Sequence, residues 1–197
     1  LKLCATLGGR GGIVAKTEEV EQVRHAAQRL KSGTPILPLI ASARGYSNLA
    51  ALGKEPQVQR FVFGSIDFQL DLGITGEGDE LLYFRSGLVL ASKLAGIQPP
   101  IDGVSVEIDN VQQVRDDALR GKRIGFGAKL CIHPRQVELV NECYYPTPDE
   151  IAWAKRIVEA ATAAKGAAVA VDGKMVDRPV ILKAEEILRE AVQRAAR

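Results

Sequence analysis

Short apolar runs rich in β-branched residues alternate with segments of helical periodicity, and this alternation constrains the fold more than any other feature of the chain. The runs are Gly12 to Lys16 (GIVAK), Pro35 to Ile40 (PILPLI), Arg60 to Ile66 (RFVFGSI), Gly103 to Ile108 (GVSVEI) and Ala128 to Ile132 (AKLCI). Their brevity and branching suit strands buried on both faces. Between the first two, Val20, Val23, Ala27 and Leu30 share a helical face. That helix follows Thr17, read as its N-cap, and two acids that suit a helix N-terminus. Leu81 to Leu94 is apolar nearly all round and predicts a well-buried helix. Strand–helix alternation of this kind makes an α/β fold, a parallel sheet with covering helices.

Spacings of about 25 residues between several runs suit the βα units of a barrel or of an open sheet. Thr147 to Glu150 (TPDE) then starts a helix strongly: Thr147 caps, Pro148 fits the first turn and Glu150 completes a capping box. Ile151, Ala154, Ile157, Val158 and Ala161 give that helix an apolar stripe. Five runs precede it, whereas a closed (β/α)8 barrel needs eight strands. The residues thus leave two readings, a smaller open sheet or a chain lacking its first three units. Gly166 to Pro179 reads as a small β element around the turn Asp172-Gly173-Lys174, with a helix from Val180 to Ala196 after it. The expected division is a main domain over 1–146 and a last helix with an appended segment over 147–197.

The net charge of +2 in 197 residues gives no electrostatic case for nucleic acid as the main partner. The mixed charges from Lys183 to Arg197 read as a solvated helix face. Cys4, Cys131 and Cys143 are odd in number and lack CxxC spacing, which argues against a disulfide framework or a zinc site and suits a reducing cytoplasm. No stretch approaches the roughly 18 apolar residues of a membrane span.

In parallel α/β folds ligands gather at the carboxyl ends of the strands. The residues after the runs are Lys16, Ala41 to Gly45, Asp67, Asp109, and His133 with Pro134. Asp67 either holds a metal or caps the next segment; Asp71 reads as a cap or turn residue ahead of Gly73. Asp109 either meets a ligand or caps the helix near Val111. Arg44 suits a carboxylate or phosphate, or a surface pair; Lys16 suits a cation at the pocket mouth. His133 is either a site residue or a hydrogen-bonded structural histidine, held extended by Pro134. The glycine-rich GKRIGFG and TLGGRGG lack the spacing of a P-loop or a dinucleotide fingerprint, and no GxSxG elbow occurs.

The stretch GFGAKLCIHPRQVELVNECYYPTPDEIAWAKRIVEA resembles the signature of the citrate lyase β-subunit-like family of malyl-CoA, citramalyl-CoA and citryl-CoA lyases, in the HpcH/HpaI aldolase superfamily. FGSIDFQLDLG, YFRSGLVLASKLAGIQPPIDGV and DGKMVDRP extend the match in family order over most of the chain. The resemblance implies a (β/α)8 TIM-type barrel, N-terminally incomplete here because GIVAK matches the fourth-strand motif, with a small C-terminal lid segment. It implies a homo-oligomer, often a trimer, and cleavage of a 3-hydroxyacyl-CoA thioester into an acyl-CoA and a 2-oxo acid. It also implies Mg2+ as the cofactor, with Asp67 as a metal ligand and Asp177 as the lid's acid/base. Arg44 and Gly45 would lie near bound substrate, and His133 and Pro134 would shape the pocket.

Departures from the pattern matter as much. Where the family commonly reads ETARG, with the glutamate as second metal ligand, this chain reads ASARG, so that Ala41 stands in the carboxylate's place. Ile66 replaces a frequent acid, and Ala15 the common proline before Lys16. Three functions stay open: a CoA-thioester lyase, leaning to citramalyl-CoA; a non-catalytic subunit that binds acyl-CoA or oxo acid; and a CoA-independent 2-oxo-acid aldolase.

Overall fold

Gly12–Val14 (β1), Ile36–Ile40 (β2), Val62–Phe63 (β3), Ile101–Asp102 (β4) and Ala128–Lys129 (β5) form one parallel sheet whose spatial order is the order of the chain. Gly12 faces Ile36, Leu39 faces Val62, Val62 faces Ile101, and Ile101 faces Ala128. The helices Val20–Ala27 (α1), Ala43–Ser47 (α2), Leu49–Leu52 (α3), Ser65–Leu72 (α4), Leu82–Ala95 (α5) and Val111–Ile124 (α6) fill the crossovers, as parallel pairing requires. Arg135–Tyr144 (α7) follows β5. The parallel α/β expectation is met. This is a computed structural model describing residues 11–164 and 169–195. Cys4, most of the TLGGRGG stretch and residues 166–168 of the expected β element lie outside the described residues.

The main core lies between the sheet and its helices. Ile36 and Ile40 of β2, Phe63 of β3, Val23 and Ala26 of α1, Leu52 of α3, Phe68 of α4 and Leu88 of α5 are buried together. Phe68 meets Phe63 and Phe84 edge-on, with ring centroids 5.3 and 4.8 Å apart.

A polar network is also sealed inside this first unit. The Arg85 guanidinium donates from Nε to Asp102 Oδ1 at 3.0 Å and from Nη1 to the Glu77 carbonyl at 2.7 Å, and it lies over the Phe63 ring. Asp102 Oδ1 also accepts from Gly103 N, while its Oδ2 is buried without a partner among the described residues. Lys129, across from Asp102 in the register, donates from Nζ to the Gly103 carbonyl. Burial pushes the Lys129 ammonium below the ordinary lysine pKa; Asp102 and Asp117 pull it the other way. Buried Asp117 accepts from Ser105 Oγ, Gln113 Nε2 and Arg120 Nη2.

Three sequence expectations need correction. The run Gly103 to Ile108 is a loop, and the fourth strand is Ile101–Asp102, whose Ile101 N donates to the Phe61 carbonyl at 2.8 Å. The loop needs no ladder, because the Ser105 and Glu107 carbonyls both accept from Gln136 Nε2 at 3.1 Å. Second, α1 is not capped by Thr17. Glu19 is its N-cap, and Gln22 Oε1 accepts from Glu19 N at 2.9 Å. Third, α5 is buried on one side only. Arg85, Leu88 and Ser92 turn inward, while Leu82, Tyr83, Leu90 and Leu94 are exposed. The salt bridge to Asp102 gives Arg85 an inward place, and a hydropathy pattern alone does not show that. Strands also expose more than expected at the first edge, where Ile13 of β1 is half-exposed.

The chain divides into two units, Leu1–Val140 and Asn141–Arg197. In the second, Pro148–Ala163 (α8), Val169–Val171 (β6), Lys174–Val176 (β7) and Arg178–Ala195 (α9) pack around Ala154, Ile157, Val176 and Ala184. The α8 start is as read from sequence: Glu150 N donates to Thr147 Oγ1 at 3.2 Å and Thr147 N to Glu150 Oε2 at 2.8 Å. β6 and β7 form an antiparallel hairpin whose turn, Asp172 and Gly173, takes φ of +52° and +74°.

Candidate active site at the strand ends

Beyond β1 the chain turns through Lys16, whose φ of +46° lies in the left-handed region. For a residue with a Cβ this costs about 1–2 kcal/mol, so its neighbours must hold it there. Thr17 does so from within the core: its N donates to the Leu39 carbonyl at 2.9 Å and its Oγ1 to the Val14 carbonyl at 2.8 Å. Gln22 closes the outer side, accepting from Glu18 N at 2.7 Å and donating to the Lys16 carbonyl at 3.3 Å. The backbone is pinned while the side chain stays free to reach. Lys16 Nζ lies 3.4 Å from Asp67 Oδ1.

The end of β2 is stitched to this turn. Ser42 caps α2, with Oγ accepting from Gly45 N at 3.2 Å and donating to Glu18 Oε1 at 2.7 Å. Asp71 Oδ2 accepts from Ala43 N at 2.8 Å, so Asp71 serves the start of α2 and not the end of its own helix. Arg44 donates from Nε to Glu19 Oε1 at 2.6 Å, and Asn48 Nδ2 donates to the Glu18 carbonyl at 2.7 Å. Gly45 is fixed by contact: a Cβ there would lie 2.5 Å from the Thr17 carbonyl oxygen. The expected substrate neighbours Arg44 and Gly45 thus also anchor the Lys16 turn.

At the end of β3, Gly64 N donates to the Ile40 carbonyl at 2.8 Å, and a Cβ on Gly64 would lie 2.9 Å from that of Ala41. Asp67 follows in the first turn of α4, half-exposed; it is not an N-cap. Lys16, Ala41 and Asp67 therefore stand on three successive strand ends. The donor set falls short of a divalent ion held by the protein. Asp67 offers one carboxylate already facing an ammonium, Ala41 offers a buried methyl, and no cluster of three His, Cys, Asp or Glu suited to a metal exists among the described residues.

The remaining candidates make local contacts of their own. β4 ends at Asp102, so Asp109 is no strand-end residue; it is exposed and pairs with Arg135 at 3.1 Å. The cap of α6 is Asn110, whose side chain accepts from Gln113 N. His133 opens α7: its Nδ1 accepts from Arg135 N at 3.2 Å and its carbonyl from Gln136 N at 3.0 Å. With Nδ1 accepting, the neutral ring carries its proton on Nε2. Exposed Pro134 continues the turn into the helix. Asp177, exposed in the second unit, caps α9 by accepting from Val180 N at 3.2 Å.

Sequence reading missed Gln136. Its side chain is buried, donates to both carbonyls of the loop after β4 and accepts from Ile132 N at 3.0 Å. The available signal was a polar residue at helical spacing from Val140 and Cys143, both buried. Glu18 and Glu19 were read only as first-turn acids, yet they bind Ser42 and Arg44.

Residues 12–134 match the family described as HpcH/HpaI aldolase/citrate lyase. A citrate lyase subunit beta-like protein of Deinococcus radiodurans is 36% identical over 186 residues, covering 90% of this chain and 65% of its own. The mitochondrial citramalyl-CoA lyase of Rattus norvegicus is 31% identical over 176 residues, covering 82% of this chain and 52% of its own. The crystal structure of CitE from Mycobacterium tuberculosis in complex with magnesium, acetoacetate and coenzyme A superposes with a TM-score of 0.79 at 29% identity, covering 91% of this chain and 68% of that one. The chain thus spans between half and about two thirds of these relatives' lengths.

Proposed function

Because the chain belongs to the HpcH/HpaI aldolase/citrate lyase family, we propose that it is the strand-end-bearing part of a carbon–carbon lyase acting on a 3-hydroxyacyl-CoA of the citramalyl-, malyl- or citryl-CoA type. The products would be an acyl-CoA such as acetyl-CoA and a 2-oxo acid. The observation that carries this reading is the grouping of Lys16, Arg44 and Asp67 on successive strand ends, where parallel α/β folds bind ligands. A relative of the same fold, crystallised with acetoacetate and coenzyme A, supports the ligand class.

In this reading the substrate hydroxyl gives its proton to a carboxylate base, and the C–C bond breaks as the carbonyl of the oxo acid forms. The electron pair passes to the thioester's α-carbon as an enolate, which is then protonated to the acyl-CoA. Asp177 is proposed as the acid/base, in its own subunit or a neighbour's. Arg44 would pair with a substrate carboxylate by exchanging it for Glu19, and Gly45 would let the backbone come close. His133 and Pro134 would shape the pocket by fixing where α7 starts. Mg2+ is present in the relative's structure; here Asp67 is the strand-end carboxylate that would hold it, and with Ala41 beside it and Lys16 facing it the ion would be weakly held, so no step is assigned to it.

The same reading completes the five-stranded sheet to a (β/α)8 barrel and places the protein in a homo-oligomer, often trimeric in such lyases, in a reducing cytoplasm. Cys131 and Cys143 are both free, and no helix among the described residues is long and apolar enough to cross a membrane. Ala41 favours a second reading, an oxo-acid- or acyl-CoA-binding subunit without turnover. The test is to incubate the full-length protein with each of the three CoA thioesters, with Mg2+ or EDTA, and to follow 2-oxo-acid release beside an Asp177→Asn control. Release that the control abolishes supports the lyase. No release by folded protein from any of the three favours the binding subunit.

A further inference from the structure

We propose that the Lys16 ammonium is the resident positive charge of this site, and that it receives the carboxylate of the 2-oxo acid so that binding needs no divalent ion. The inference rests on reading the strand ends as an oxo-acid site, and it assigns the cation within that site. Three independent observations carry it. Lys16 is held in a left-handed backbone conformation by Thr17 and Gln22, which fixes the origin of its side chain at the mouth of β1. Non-glycine residues in that region collect at functional sites, where the surroundings sustain the strain. Its Nζ lies 3.4 Å from Asp67 Oδ1, the carboxylate on which a metal would otherwise depend. On the strand end between them stands Ala41, whose methyl binds no ion.

An ammonium has three N–H donors, and the ion pair with Asp67 at 3.4 Å calls on no more than one. The other two suit a carboxylate oxygen and the neighbouring oxo oxygen of a 2-oxo acid. Asp67 then keeps the lysine aimed, so it acts as a positioning residue. A divalent ion on Asp67 would meet the ammonium as a like charge, which disfavours both together. Lys16 and Asp67 are well exposed as they stand, and a pair of that kind adds little to stability, so it can open to a ligand at small cost to the fold.

The experiment titrates oxaloacetate and pyruvate separately into the full-length protein by calorimetry, in EDTA and in Mg2+. The variants are Lys16→Asn, which removes the charge while tolerating a left-handed backbone, and Lys16→Arg, which keeps the charge. Thermal unfolding of each confirms the fold. The expected result is wild-type binding in EDTA within about threefold of that in Mg2+, a loss of about tenfold or more in Lys16→Asn, and partial recovery in Lys16→Arg. Binding that appears only with Mg2+, binding unaffected by Lys16→Asn, or no binding in either condition would overturn the assignment. Thioester cleavage is assayed separately: Lys16-dependent binding without turnover sinks the lyase reading alone, and Mg2+-dependent turnover with a silent Lys16→Asn sinks this one alone.

Discussion

At the ends of β1 to β3 the charged side chains stand in water, with Lys16 and Asp67 67% and 47% exposed, whereas in the network beside β4 and β5 they are sealed, with Arg85 and Asp102 4% and 1% exposed. The two pairs have similar separations, 3.4 and 3.0 Å. Their consequences differ because solvent screens one and not the other. The exposed pair can open to admit a ligand at small cost. The sealed pair cannot lose a partner without stranding a charge in the interior. Spacing of charges therefore says little about role, and burial says much: the sealed set holds the sheet to its helices, and the open set is free for chemistry.

Mutations sharpen this contrast. Arg85→Met should have the largest effect, about 3–5 kcal/mol of unfolding free energy by urea titration, because it leaves the buried Asp102 without its salt-bridge partner. A loss below about 1 kcal/mol would break the distinction. Gly45→Ala comes next at about 1–3 kcal/mol, since its Cβ would press on the Thr17 carbonyl. The same change should impair oxo-acid binding by displacing the Lys16 turn.

Lys129 predicts a pH effect. Its folded pKa is lowered by burial, so between that pKa and the ordinary 10.5 the unfolded chain binds more protons, and stability rises with pH through that window. Below the folded pKa the cost of the buried charge is fully present. Lys129→Met should flatten the alkaline rise in the urea midpoint, and an unchanged slope would remove Lys129 from the sealed set. The smallest stability effect belongs to Asp67→Asn, within about 0.5 kcal/mol. Its turnover should nevertheless fall by about a hundredfold in a coupled 2-oxo-acid assay, because Lys16 loses the carboxylate that aims it.

Much of the fold was legible because local rules decide it. TPDE specifies the start of α8 through its own side chains, and four of the five apolar runs contain strands. The fourth run misled because GVSVEI alternates well but has its carbonyls met by Gln136, a partner far along the chain. The inward turn of Arg85 in α5 likewise depends on a remote carboxylate. At the site, residue types were readable and geometry was not. Nothing in GIVAKTEE announces a left-handed lysine aimed at Asp67, and His133 looks the same in sequence whether it faces a ligand or, as found, accepts from the first helical amide. Asp177 shows the same limit: its cap on α9 is what the structure adds.

The sheet's spatial order repeats the order of the chain from β1 to β5. Each strand after the first therefore finds its partner in the segment made just before it, across a single helical crossover. During synthesis from the N-terminus, every new βα unit can dock on a finished edge without waiting for distant sequence. Loop-closure entropy is met in modest instalments, one crossover at a time. The tie from Gln136 back to the loop after β4 comes last in this order and acts as a latch on sheet already laid down.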